Sequence, residues 1–127
     1  MFYRRRRRRS RVTKDYVKHK ESARVLIVEK VKRYSSVYGC SVRRISIRNQ
    51  KTRWASCSEK GNLNFSYKIL FLPEMFADYI IVHELCHLQE LNHSQRFWDL
   101  VVQVFPNYKQ IRKELRTYKM GIRGTSL

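Results

Sequence analysis

Cysteine is scarce in this chain of 127 residues: Cys40, Cys57 and Cys86 make an odd count with no CxxC spacing. A disulfide framework is thereby excluded, and a reducing, cytoplasmic setting is expected. Long apolar runs are missing as well. None approaches the roughly 18 residues of a membrane span, so no membrane partner is expected. Met1-Phe2-Tyr3 followed by Arg4 to Arg9 has the charge of a signal peptide but no apolar stretch behind it, and secretion is not expected. With only 4 Gly and 2 Pro, connections should be short, with no linker, repeat or second domain. Acid is the last scarcity: 10 Asp plus Glu stand against 28 Lys plus Arg, a net charge of +18. A 43% hydrophobic and 13% aromatic content still suffices for one buried core.

The basic charge is unevenly placed. Residues 1–12 carry +7, residues 13–60 carry +9, residues 61–107 carry −3 and residues 108–127 carry +5. A neutral-to-acidic island is thus flanked by basic segments. The run Arg4, Arg5, Arg6, Arg7, Arg8 and Arg9 repels itself and has no apolar partner, so residues 1–12 read as a disordered basic arm. Such an arm suits the phosphates of DNA or RNA, ribosomal RNA included, through counterion release. Residues 13–120 then form the folded domain, and 121–127 a tail.

Residues 14–38 read as a long helix with Val17, Ala23, Val25, Leu26, Val28, Val31 and Tyr34 on or near one face and Gly39 as its stop. Val42, Ile45 and Ile47 alternate with Arg44 and Arg48, the period of a half-buried strand. Arg53–Cys57 and Asn62–Phe65 make two more strands, joined by a turn over Ser58-Glu59-Lys60-Gly61. Pro73 opens a helix that runs to about Leu91 and is apolar nearly all round, so it should be central and buried. A helix from about Ser94 to Val104 follows; Pro106 breaks it before a last basic helix up to Gly121.

Inside the buried helix stands His83-Glu84-Leu85-Cys86-His87. At 100° per residue, His83 and His87 lie about 40° apart and one turn apart, so both imidazoles face one point. Glu84 projects to the edge of that face. Two zinc ligands beside a carboxylate general base have this spacing. A pair of satisfied core histidines is the alternative, but a buried helix does not place two His and a Glu on one turn without a compensating partner. His93 is the nearby third ligand. A continuing helix would point it about 120° away from His87, so the chain must turn, with Asn92 in the left-handed region and Ser94 capping the next helix. His19 lies among charges and reads as surface. Cys86 should pack in the core, and Cys57 is discounted as a ligand likewise.

These residues, with Phe97-Trp98, Arg53-Trp54-Ala55-Ser56-Cys57-Ser58, Gly61-Asn62-Leu63-Asn64 and Leu72-Pro73, resemble the YgjP-like metallopeptidase family, whose relatives include the SprT-like proteases. The resemblance covers roughly residues 20–118. It implies an α+β, zincin-like fold of minimal size, with one Zn²⁺ on His83, His87 and His93 and with Glu84 as catalytic base. Ala55 departs from the family's usual glycine. The ligand spacing also equals that of the metzincins, but Glu90 stands where their turn glycine would be.

The expected architecture is a three-stranded antiparallel sheet with the central HExxH helix and flanking helices. The expected function is a zinc-dependent metalloendopeptidase in which a zinc-activated water, deprotonated by Glu84, attacks a protein or peptide substrate. By resemblance to the SprT-like proteases, that substrate could be protein on nucleic acid. An extended substrate could add to strand Asn62–Ser66. Glu90 and Asp99 are candidate acceptors for the imidazoles' second nitrogens, and Tyr67, Tyr79 and Arg96 candidate oxyanion partners. Trp54, Phe97 and Trp98 should roof the site and fill the core. The alternative is a nucleic-acid- or ribosome-binding protein with a structural zinc; Glu84 argues against it, because a structural site needs no base.

Overall fold

The computed structural model describes residues 13–118. The arginines Arg4–Arg9, with the rest of the expected arm, and the tail 121–127 lie outside the described residues. Helix α1 spans Lys14–Tyr38. Thr13 caps it by accepting from the Tyr16 N–H at 3.1 Å, and Gly39, at φ 63°, ends it in the left-handed region. Its buried stripe is Ala23, Ile27, Lys30 and Val31, spaced as one helical face. Val17 and Val25, expected on that face, are 67% and 69% exposed. Val25 stands about 200° around the helix from Ala23, so the two cannot share a stripe.

Strands β1 (Arg44–Arg48), β2 (Ala55–Cys57) and β3 (Asn62–Ser66) form one sheet in the order β1-β3-β2. The β2–β3 hairpin is antiparallel, as expected, with Gly61 at φ 89° in its turn. The β1–β3 pair is parallel, with Ile45 opposite Leu63 and Ile47 opposite Phe65. The sheet is therefore mixed rather than wholly antiparallel. The side-chain alternation shows which face of a strand is buried but not which neighbour it pairs with. β3, whose Leu63 and Phe65 are fully buried, takes the centre, and β2 is left at an edge. The free carbonyls of β1 are met by α1: Tyr16 Oη donates to Ile47 O at 2.9 Å and an Arg24 guanidinium nitrogen donates to Ile45 O at 3.3 Å. Asn62–Ser66 is thus the central strand, paired on both sides, and offers no free edge for an added strand.

A 3₁₀ turn over Tyr67–Phe71 leads through Pro73 into α2, Glu74–Gln89. The expectation of a central helix holds. Phe76, Ala77 and every residue from Tyr79 to Cys86 are buried, packed between α1 and the sheet. Lys30 of α1, itself buried, pairs with Glu74 at 2.9 Å and with Asp78 in the first turns of α2, while Tyr34 Oη donates to Asp78 at 3.0 Å. Burial alone would depress the Lys30 pKa; the hydrogen bonds and charges of Asp78 and Glu74 outweigh it and hold the ammonium above its ordinary value. Helices α3 (Gln95–Val102) and α4 (Tyr108–Leu115) close the core with Phe97, Val101, Ile111 and Leu115. Among the described residues no helix is long and apolar enough to cross a membrane.

Candidate metal centre

The five residues between α2 and α3 bring a third histidine to the first two. α2 stops at Gln89, and Glu90, at φ −134° and ψ 106°, carries the chain out of the helix. No described non-glycine residue has positive φ, so Asn92 does not make the expected left-handed turn. Ser94 takes the N-cap position of α3 without a side-chain hydrogen bond. The loop between folds back over the end of α2 and returns His93 to His87: their Nε2 atoms stand 2.9 Å apart. One ring nitrogen each from His83, His87 and His93 lie within 4.8 Å of one another, from a buried, a half-buried and an exposed residue.

Hydrogen bonding turns one ring nitrogen of His87 and of His83 away from the cluster. His87 Nδ1 lies 3.1 Å from the carbonyl oxygen of Glu90, which can only accept, so Nδ1 carries the proton and Nε2 turns its lone pair towards His93 Nε2. His83 Nδ1 lies 3.3 Å from Glu84 Oε2, and His83 Nε2 is buried with no hydrogen-bond partner. Burial, and then the charge of neighbouring His83, push the His87 pKa below its ordinary value. His93 is lowered in the same way, with His87 and Arg112 adding to the effect. Both rings are thus held neutral, the form in which an imidazole binds a metal.

Phe97 organises the three rings. Fully buried at the start of α3, it stacks on His87 at 4.4 Å and meets His83 at 5.2 Å and His93 at 4.9 Å edge-on. Trp98 stacks on His93 at 5.6 Å and on Tyr108 at 4.4 Å. Trp54 fills the core as expected, but beside a separate groove with Tyr67 and Phe71 rather than over the histidines.

The histidines and the buried carboxylate of Glu84 open onto a cavity of about 230 Å³, whose other wall is Arg53, Ala55, Ser56 and Cys57. Tyr67, Tyr79 and Arg96 do not line it. Glu90 serves through its backbone carbonyl rather than its carboxylate, and Asp99 accepts from Gln95 Nε2 at 2.8 Å instead. Arg53 was missed in sequence and Cys57 was weighed only as a ligand, because only the pairing of β2 against β3 brings that strand over α2. The Arg53-Trp54-Ala55-Ser56-Cys57 motif was the one signal that could have flagged them.

Residues 4–118 match the family model described as YgjP-like, metallopeptidase domain. The chain belongs to this family. Two solved structures resemble this YgjP-like domain. The metallopeptidase zymogen of Pyrococcus abyssi abylysin is 28% identical with a TM-score of 0.69, covering 79% of this chain and 99% of that one. The metallopeptidase zymogen of Methanocaldococcus jannaschii jannalysin is 25% identical with a TM-score of 0.63, covering 70% of this chain and 92% of that one. A shorter match joins it to the UTP pyrophosphatase of Escherichia coli (strain K12), 39% identical over 46 residues. That match spans 36% of this chain and 28% of the relative's length.

Membership of a metallopeptidase family implies a metal, typically zinc. The residues present fit one: the donor set is three imidazoles, and the orphaned Nε2 of His83 is a buried polar atom that a cation would satisfy.

The two inner cysteines of the YgjP-like domain should be inert. Burial first, and then the charge and hydrogen bond of Glu84, push the Cys57 thiol up to about 12. Burial pushes Cys86 to about 12 as well, and raises Cys40. Iodoacetamide at pH 8 is expected to label Cys40 first and Cys57 and Cys86 only after unfolding. Peptide mass mapping reads the order, and early labelling of Cys57 would show its thiol free of the carboxylate.

Proposed function

We propose that this YgjP-like domain is a zinc-dependent metalloendopeptidase. Residues 13–120 would be its catalytic unit, and His83, His87 and His93 would hold one Zn²⁺. The observation that carries the reading is the meeting of three imidazoles and the buried carboxylate of Glu84 at one cavity. Bound there, zinc would supply a Lewis acid with a position open to water and to a peptide carbonyl. Glu84 takes the proton of the attacking water on a carboxylate oxygen and delivers it to the leaving amine nitrogen. The outer edge of β2 lies beside the histidines, so an extended peptide adds there as a further strand, its backbone paired to Ala55–Cys57. The substrate is a protein or peptide in the cytoplasm, where the three free cysteines stay reduced. The arginines Arg4–Arg9 direct it to proteins associated with DNA or RNA.

A second reading, hydrolysis of a nucleotide phosphoanhydride at the same metal, is favoured by the partial match to the UTP pyrophosphatase and by Arg53. This exposed cation lines the cavity and suits a phosphate. One experiment separates the two. Zinc-loaded and EDTA-treated chain are incubated in parallel with casein and with UTP. Peptide products that disappear with EDTA and return with zinc are expected. Pyrophosphate release without proteolysis would move the chain to the second reading. Neither product, with zinc bound, would leave a nucleic-acid-binding protein with a structural zinc.

A further inference from the structure

The two edges of the sheet differ. β2 is free beside the histidines, whereas β1 is overlaid by one stripe of α1, Tyr16, Lys20 and Arg24 at four-residue spacing. Between this stripe and Ser46, Ile47, Arg48 and Asn49 runs a groove of about 400 Å³. We propose that this groove binds the phosphate backbone of a single-stranded nucleic acid.

Three cations line the groove, and their charge is barely neutralised. Among the described residues the one carboxylate in contact with them is Glu21. It is 79% exposed and 3.9 Å from Arg24 Nε, too loose and too wet to cancel a charge. Lys20 lies over the Tyr16 ring at 5.4 Å and has no acidic partner. Arg48 donates one N–H, from Nε, to Asn64 Oδ1 at 2.9 Å, and Arg24 donates from one nitrogen to Ile45 O. Each guanidinium therefore keeps further donors for an oxyanion. These anchoring bonds also fix the direction of both side chains, as a phosphate site requires.

The walls decide the form of the ligand. A helix face and a strand edge, tied together by the Tyr16 and Arg24 bonds, line a recess of about 400 Å³, a size that suits one extended backbone better than the convex surface of a duplex. Tyr16 does not serve as a free stacking platform, since its hydroxyl is tied to Ile47 and Lys20 covers its ring. Recognition therefore falls on phosphates and carries no sequence preference. β3 separates β1 from β2, roughly 10 Å across the sheet. A strand held in the groove therefore leaves the histidine cavity open.

Binding of a fluorescein-labelled dT20 to the full chain, followed by anisotropy over a salt series in EDTA, tests this without any reliance on the metal site. Lys20→Gln with Arg48→Gln removes two groove charges while leaving the Tyr16 and Arg24 bonds to β1 intact. A control, Lys109→Gln with Lys113→Gln on the exposed face of α4, lowers the net charge equally. The groove variant is expected to bind roughly 25-fold more weakly at 0.1 M salt, with its log–log salt slope shallower by about 1.4. The control should change far less. Equal losses in both variants, or an unchanged slope in the groove variant, would overturn the proposal, as would failure of the full chain to bind dT20. Matching unfolding midpoints for the two variants confirm that the comparison is between folded proteins.

Discussion

Glu84→Gln is expected to lower the rate of peptide hydrolysis about 10³-fold while zinc content and substrate KM stay close to those of the wild type. The amide has the shape of the carboxylate but cannot take a proton at neutral pH. It also keeps an oxygen for the Nδ1–H of His83, now 3.3 Å from Glu84 Oε2, so the ring should hold its orientation. The side chain is buried and lines the histidine cavity, which leaves it little freedom to find another role. Metal content by mass spectrometry beside kcat and KM checks the point. A variant that binds zinc and cleaves at the wild-type rate would remove Glu84 from the chemistry. A variant that loses zinc would show that its main work is to orient His83.

Lys30→Ala is expected to destabilise the fold by about 3 kcal/mol, as removal of one partner from a buried pair does. Lys30 has 3% of its side chain exposed and Asp78 has 13%, so the loss leaves a largely dry carboxylate without its cation. The more exposed Glu74 contributes little to that figure. The Lys30 pKa is raised in the folded chain above its ordinary value of 10.5. Its contribution is therefore fully present below that value and fades only as the pH rises through the folded pKa. Urea unfolding at neutral pH measures the change. Lys30→Met with Asp78→Asn should recover more than half of it, because no charge is then stranded and the Asn can still accept from Tyr34 Oη. Loss no greater than that of an exposed lysine would mean that Asp78 finds water or another partner.

The meeting of the histidines was legible in the sequence because the spacing of the first two is a property of one helix. His83 and His87 need only 3.6 residues per turn to face together, and the mismatch of His93 with that helix required the chain to turn. The manner of the turn was not legible. Glu90 leaves the helix through extended backbone, where Asn92 had been expected to take positive φ. Strand positions could be read from alternation, but their order could not, because Ile45 and Ile47 look the same whether β1 runs with or against its neighbour. Lys30 reads as one more solvated cation in a basic helix; only the placing of Glu74 and Asp78 opposite it shows that it is interior. Cys57 and Arg53 reach the cavity across two elements far apart in sequence, which no local period records.

The packing of Phe97 and Trp98 on the imidazoles has a further consequence. Immobilising a side chain on binding costs on the order of 1 kcal/mol in lost rotamer freedom. Here His83 and His87 stand on a buried helix, and His93, the exposed one, rests on an indole that is itself clamped by Tyr108 and Arg112. The rings have already given up most of their conformational entropy when the chain folds. An ion bound there would meet donors already ordered, and would keep affinity that a flexible site loses to ordering.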